Sequence, residues 1–441
     1  MRRLIYIFII GLLLCSYTWA DGSRYASKSL LSEGKWVKIR VDKTGIYKLS
    51  YADLKNMGFS APSKVSVHGY GGWPLDEDFS KEYIDDVPST PVWRGSDYLL
   101  FYGKGPVKWE YDSSSQTFVH TNNPYSLYGY YFVTDATPTN DMTSVAQASG
   151  ATNRITTYDD YLVHEQELVS LAKSGRELYG EDFSGATPRT LSTFSSIPGI
   201  TNEDAKVTMS FVSKVTSGTG VASLSINQSN VLDVSIRSNR EEYVKALEGV
   251  STAVWKGEKS EKNSVVVSYN SASHNNVRLN YVRLHFKRTL QLYGAYTFFR
   301  SIASIGNVSR FVVQGANANT LVFDVTDAQR VRLMETELNG SELTFSIPAG
   351  TLREFVLVRT DQSFISPEVV GEVENQNLHA LEQKDMIIIA AKAFQTQAER
   401  LAEEHRATDG LTVEVVDPQS IYNEFSSAAT YATAYPPLMI K

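Results

Sequence analysis

From residue 36 to about residue 360 the chain is written in short stretches where apolar and polar residues alternate, each closed by Gly, Asn, Ser or Asp. Alternation of period two marks a half-buried strand, because successive side chains leave a strand on opposite faces. Trp36-Val37-Lys38-Ile39-Arg40-Val41 is the clearest case. Asp42-Lys43-Thr44-Gly45 turns the chain, and Ile46-Tyr47-Lys48-Leu49 is expected to return as the hairpin partner. Ser50 is placed to cap a short helix over 51–57, and Gly58 to end it. Further strands are predicted at 64–68, 97–102 and 128–134.

Residues 153–184 break the rhythm by mixing charges with aromatics, as in Asp159-Asp160-Tyr161 and Arg176-Glu177-Leu178-Tyr179. An extended crossing segment with little regular structure is expected over 151–204. Strands then recur at 207–212, 222–226, 231–236, 252–256, 264–269 and 277–287, a spacing that predicts an antiparallel β-sandwich over 205–290. A second β domain is expected over 291–365, with strands at 311–314, 320–324, 331–333, 342–347 and 354–359.

The pattern changes at residue 366. A polar linker is expected over 366–384, followed by the apolar run Met386-Ile387-Ile388-Ile389-Ala390-Ala391, which reads as a strand buried on both faces. The helix after it carries Phe394, Ala398, Leu401, Ala402 and His405 on one face and Glu399, Glu403 and Glu404 on the other. Gly410 ends the helix and Thr412-Val413-Glu414-Val415-Val416 is the next strand. Strand, helix and parallel strand make a βαβ unit, the start of an α/β layer over 385–441. The fold class expected is therefore mostly β, with an N-terminal β domain over 21–150, further antiparallel β domains and the start of an α/β domain.

The ends of the chain and its composition narrow the class. Met1-Arg2-Arg3, an apolar run from Leu4 to Cys15 and Thr18-Trp19-Ala20 make a secretory signal peptide over 1–20, since the run is too short to span a bilayer. Cys15 is the sole cysteine and would leave with that peptide. The mature chain then holds no disulfide, thiolate metal ligand or thiol nucleophile. A net charge of −7 argues against nucleic acid as a partner, and 25 tyrosines with 19 phenylalanines suit an extracellular β protein.

Candidate chemistry is sparse. Gly69-Tyr70-Gly71-Gly72 lacks the Lys-Ser/Thr of a phosphate loop and reads as a tight turn. His164-Glu165 has no second histidine four residues after His164, so the metalloprotease helix is absent. No residue is assigned as catalytic, cofactor-binding or metal-ligating, and no cofactor is expected.

Four segments, Glu374-Asn375-Gln376-Asn377-Leu378-His379, Asp385-Met386-Ile387-Ile388-Ile389, Gln397-Ala398-Glu399-Arg400-Leu401-Ala402 and Ile421-Tyr422-Asn423-Glu424-Phe425-Ser426-Ser427, resemble the opening of the gingipain-type cysteine peptidase domain. Within that family they resemble most the sorting-signal peptidases of the type IX secretion system, and segments 34–49, 122–132 and 174–180 agree. The resemblance implies a caspase-like α/β domain and an enzyme that removes C-terminal sorting domains from secreted cargo and attaches the cargo to the cell surface. It also implies an outer-membrane β-barrel partner, cargo proteins with C-terminal sorting domains, and a place in the periplasm or on the outer surface of a Gram-negative bacterium.

The family's catalytic histidine and cysteine lie well beyond the first βαβ unit, and the chain is expected to stop short of both. His379 and His405 are read as ordinary surface and helix-face histidines. The segment from 385 onward is expected to be an unstable stub, cleaved from the β domains between 366 and 384. The alternative function is a stand-alone secreted β-sandwich binding or adhesin protein whose exposed aromatics stack on glycans. Export should cut the chain between Ala20 and Asp21. Mass spectrometry of the mature N terminus checks this, and an intact Met1 or lipid on Cys15 would refute it.

Overall fold

The computed structural model describes residues 25–440, except 79, 82, 172, 174, 239–245, 272, 273 and 275. The expected signal peptide and Cys15 lie outside the described residues. The chain is mostly β, with several antiparallel sheets and an α/β segment at its C-terminal end.

The expected first hairpin does not form. Trp36–Val41 lies in a five-stranded sheet between Gly129–Thr134 and Glu368–Val373, and Gly45–Ser50 lies in a three-stranded sheet beside Tyr98–Gly103. The turn at Asp42–Gly45 carries the chain from one sheet to the other. Val37, Ile39 and Val41 from one sheet and Tyr47, Leu49, Leu99 and Phe101 from the other fill one core, which a flat hairpin could not enclose. Tyr47 pins the corner, its hydroxyl donating to the Lys43 carbonyl at 2.8 Å. Ser50 caps the Tyr51–Asn56 helix as expected, in a capping box with Asp53.

A nine-stranded sheet forms the middle of the molecule. It runs Ser144–Val145, Arg332–Met334, Thr320–Asp324, Glu354–Arg359, Tyr296–Arg300, Thr157–Glu165, Val277–Thr289, Ala205–Ser213, Leu247–Trp255. One sheet therefore spans the two β regions expected over 205–290 and 291–365. A four-stranded sheet covers each half. Met209, Phe211, Leu224, Val267 and Leu284 fill one core, and Phe299, Phe311, Phe345 and Phe355 the other.

The strand joining the halves, Thr157–Glu165, arises from the stretch expected to be irregular. Paired acids disguise it. Asp159 is almost wholly buried, and burial would raise its carboxyl. Hydrogen bonds from His285 Nε2 (3.1 Å), Lys287 Nζ (3.0 Å) and the Ile302 N–H (2.7 Å) outweigh this and hold it below the usual range. Asp160 receives Arg288 at 2.8 Å. The balancing cations come from strands more than a hundred residues downstream, so no local pattern announces them.

The expected linker is also corrected. Glu368–Val373 is a strand on the edge of the N-terminal sheet, paired with Trp36–Val41 from Trp36↔Val373 to Arg40↔Glu368. Val369 and Val370 stay exposed, so backbone bonds and the rim pairs Arg40–Glu368 (2.6 Å) and Lys35–Glu372 (2.7 Å) hold it. Beyond it the βαβ unit forms as expected, but its first strand is half-buried, with Ile389 exposed, and not buried on both faces, because only one side of the unit packs on the rest of the chain. Met386–Ile389 and Val413–Val416 are parallel, joined through the Gln395–Glu404 helix, and Pro418–Phe425 follows. The outer face of this unit is open, with Ile389, Phe394 and Leu401 exposed.

A protein ending at residue 366 loses the Glu368–Val373 strand and uncovers the edge of Trp36–Val41. With about 1 kcal/mol net per strand hydrogen bond, it should be less stable than the full chain by roughly 3 kcal/mol or more. Chemical denaturation of the two proteins checks this, and equal or higher stability of the shorter one would refute it.

Candidate functional site

The chemistry of the C-terminal segment gathers where the Pro418–Phe425 helix meets the N-terminal sheet. Asp417 and Pro418 start this helix, and Ile421 and Phe425 bury its apolar face. That periodicity also turns Glu424 inward, where it has no exposed surface. Its Oε1 accepts from the Leu378 N–H (2.8 Å) and Gln376 Nε2 (2.9 Å), and its Oε2 from the His379 N–H (3.0 Å) and His379 Nδ1 (2.5 Å). The other ring nitrogen of His379, Nε2, reaches Asp85 at 3.0 Å, and the ring stacks on Phe425 at 4.6 Å.

His379 is therefore a fully buried imidazole between two carboxylates, and the expectation of a surface histidine is corrected. Burial would lower its pKa, but the hydrogen bonds and charges of Asp85 and Glu424 win and push it up to about 9. His405 does lie on the helix surface, bonded to Asp409 at 2.7 Å.

The two quoted stretches 374–379 and 421–427 face each other through this network, with Gln376 also accepting from Asn423 Nδ2 at 2.9 Å. Asn377 extends the network to the N terminus, its side chain accepting from the Ser29 N–H at 2.9 Å. Asp86 accepts from Ser29 Oγ (2.9 Å) and the Leu30 N–H (2.6 Å).

Past the helix, Ser427 and Ala428 both take left-handed backbone, with φ of 49° and 66°. Such residues cost about 1 kcal/mol each and persist where their surroundings hold them. Ser427 is held by accepting from the Tyr70 N–H (3.1 Å) and donating to the Tyr130 carbonyl (3.0 Å). Ala428 enters the core of Leu31, Trp36, Val87 and Phe132. Gly69 permits the approach, since a Cβ there would lie 2.5 Å from Ser427 Oγ. The Tyr83 hydroxyl donates to the Phe425 carbonyl, and Tyr431 donates to the Leu75 carbonyl at 3.2 Å.

The arrangement holds charge and position. Each carboxylate oxygen of Glu424 is occupied by structural donors, and the site presents no thiol. Among the described residues no group of three or more His, Cys, Asp or Glu side chains is set to hold a metal. Sequence reasoning missed Glu424, Asp85 and Ser427 as functional positions. The available signal was a buried-face glutamate on an otherwise apolar helix stripe.

The stability that His379 contributes is complete below about pH 6.5, its unfolded value, and is lost as pH rises through about 9. The span is worth on the order of 3 kcal/mol at 1.36 kcal/mol per unit. His379→Ala leaves Glu424 buried without its cation and should cost about 3–5 kcal/mol. Amide exchange across 413–440 checks both statements. Protection factors, taken against the intrinsic exchange rate at each pH, that are unchanged from pH 6.5 to 9.5 and unaffected by the substitution would refute the clamp.

A sequence model of peptidase family C25 matches residues 379–440, beginning at the clamp histidine. No curated protein matches the chain. Among solved structures, dimeric latent PorU from Porphyromonas gingivalis superimposes with a TM-score of 0.88 at 32% identity, covering 94% of this chain and 40% of PorU. The insecticidal delta-endotoxin Cry8Ea1 of Bacillus thuringiensis (TM-score 0.20, 10% identity, 50% of this chain and 41% of that one) is too distant to bear on the fold. The chain thus spans two-fifths of the length of the PorU it matches. It is PorU-like in fold over nearly all its length, and with residue 379 it enters a peptidase family C25 domain.

Proposed function

We propose that these residues are the β scaffold and the first layer of the catalytic domain of a PorU-like cysteine peptidase of the type IX secretion system. The enzyme removes C-terminal sorting domains from secreted cargo and joins the new carboxyl end to a lipopolysaccharide amine. It works at the outer surface of a Gram-negative bacterium, beside an outer-membrane β-barrel partner. One observation carries this reading: the family C25 segment is seated on the N-terminal sheet through Glu424, His379 and Asp85. A stand-alone β-sandwich adhesin would have no use for that seat.

The chemistry is acyl transfer. A thiolate attacks the scissile carbonyl, the sorting-domain amine leaves with a proton, and the lipopolysaccharide amine then displaces the thiolate from the thioester. Residues 21–441 contain no cysteine, so they do not supply the thiolate of such an enzyme. The contribution of these residues is to fix where the first strands and helix of the catalytic layer stand.

Purified residues 21–441 should neither hydrolyse a sorting-domain peptide nor take up a thiol-directed label. A chimera that continues into the remaining C25 domain of the Porphyromonas gingivalis protein should process cargo in cells lacking their own PorU. His379→Ala in that chimera should reduce processing while leaving the β scaffold folded by circular dichroism. Turnover by residues 21–441 alone, surviving denaturation and refolding, would overturn the proposal. So would a folded, exported chimera that leaves cargo unprocessed.

A further inference from the structure

Apart from the clamp, the N-terminal domain holds a largely buried lysine that no described carboxylate pairs. Lys104 follows the Tyr98–Gly103 strand, and its backbone is locked on both sides. Its N–H donates to the Tyr131 hydroxyl at 2.8 Å, and its carbonyl accepts from Gly72 at 3.0 Å. The residue is only 7% exposed. Its ammonium sits 4.6 Å from the centre of the Trp73 ring, and no described carboxylate lies within ion-pair distance. The neighbouring lysines are already matched, Lys81 to Asp76 at 2.6 Å and Lys108 to Glu110 at 2.7 Å. Asp78 is engaged by Ser80, and Asp327 acts on Lys104 only through its field.

Lys104 lines a pocket of about 190 Å³ together with Tyr70, Trp73, Leu75, Tyr83 and Ile84. The Trp73 indole N–H is buried and has no hydrogen-bond acceptor. A buried donor without an acceptor is costly, and an ammonium in a largely enclosed site is stabilised by a counter-charge. Both residues line one small aromatic-walled cavity, which is short of one acceptor and one negative charge. Burial, with Lys108 nearby, pulls the ammonium down to about 8, which is the response of a cation lacking its partner.

The geometry points to this pocket as a binding site for a small carboxylate on a compact apolar or aromatic body. The carboxylate lies against Lys104 and the Trp73 N–H, and the body lies among Leu75, Tyr83 and Ile84. Asp76 and Asp78 are exposed and tied to Lys81 and Ser80, which leaves the inner end of the pocket to the anion. Lys81 at the rim belongs to its own ion pair and is not part of the site.

Benzoate is the probe, read by the rate at which acetic anhydride acetylates each lysine of the whole chain, followed by peptide mass spectrometry. Benzoate should slow acetylation of Lys104 at least several-fold and leave Lys81 and Lys108 unchanged, and benzyl alcohol should not protect. Calorimetric binding of benzoate should weaken at least tenfold in Lys104→Gln and persist in Lys81→Gln. N-acetylphenylalanine and its amide separate the two sources of such a carboxylate. Protection by the acid alone assigns the site to a peptide C terminus, and protection by benzoate only assigns it to a free acid. Equal acetylation rates with and without benzoate up to about 10 mM, an affinity weaker than roughly 3 kcal/mol, would overturn the proposal. Equal protection by benzyl alcohol would overturn it too. If Lys104→Gln does not fold, the labelling of the unaltered protein decides alone.

Discussion

The seat of the C-terminal segment depends on one buried carboxylate. Glu424 has no exposed surface, and taking such an ion out of water costs several kcal/mol before anything is gained. Four hydrogen bonds offset that cost, all of them from residues 376–379, the stretch that carries the chain from the edge strand into the α/β layer. Asp85 closes the arrangement from the other side through His379. A helix, a connecting stretch and a loop of the N-terminal domain are thus held by one charge pattern, acid, base, acid. Its directionality fixes their relative positions more tightly than apolar contact alone would. The same helix buries Ile421 and Phe425, so apolar burial supplies the attraction and the buried charges set the register.

The nine-stranded sheet uses the same device. Asp159 is nearly as buried as Glu424 and is likewise matched by groups remote in sequence, His285, Lys287 and the Ile302 N–H. It lies on the strand that joins the two β-sandwich halves. Both joints of the molecule, sandwich to sandwich and scaffold to α/β layer, are therefore held by a buried acid satisfied from across the joint. Separating either joint would strand a charge in a low-dielectric site.

The two sides of the α/β layer contrast. Its inner side is fastened by the clamp, by Ser427 and Ala428 packed against the sheet, and by Tyr431 on Leu75, whereas its outer side leaves Ile389, Phe394 and Leu401 open. An exposed apolar helix face beside a two-stranded parallel sheet is the surface on which further α/β layers are laid. The docked side shows that this layer is positioned by the scaffold. The segment is not the free stub that its length and apolar strand suggest.

Period-two alternation was enough to determine the β character of residues 36–150 and 205–359, because a half-buried strand must alternate whatever it pairs with. The apolar run 386–391, the amphipathic helix and the second strand determined the βαβ start for the same local reason, and residues 374–379 and 421–427 carried the family resemblance. Pairing was decided only by the tertiary structure. Trp36–Val41 and Gly45–Ser50 look like a hairpin because a turn joins them, yet they part because their apolar faces enclose more by facing each other. Thr157–Glu165 and Glu368–Val373 read as irregular because what makes them strands, a cation or a backbone edge, lies more than a hundred residues away. His379 reads as ordinary for that reason too: a histidine's surroundings are not written beside it, and here they arrive from residues 85 and 424.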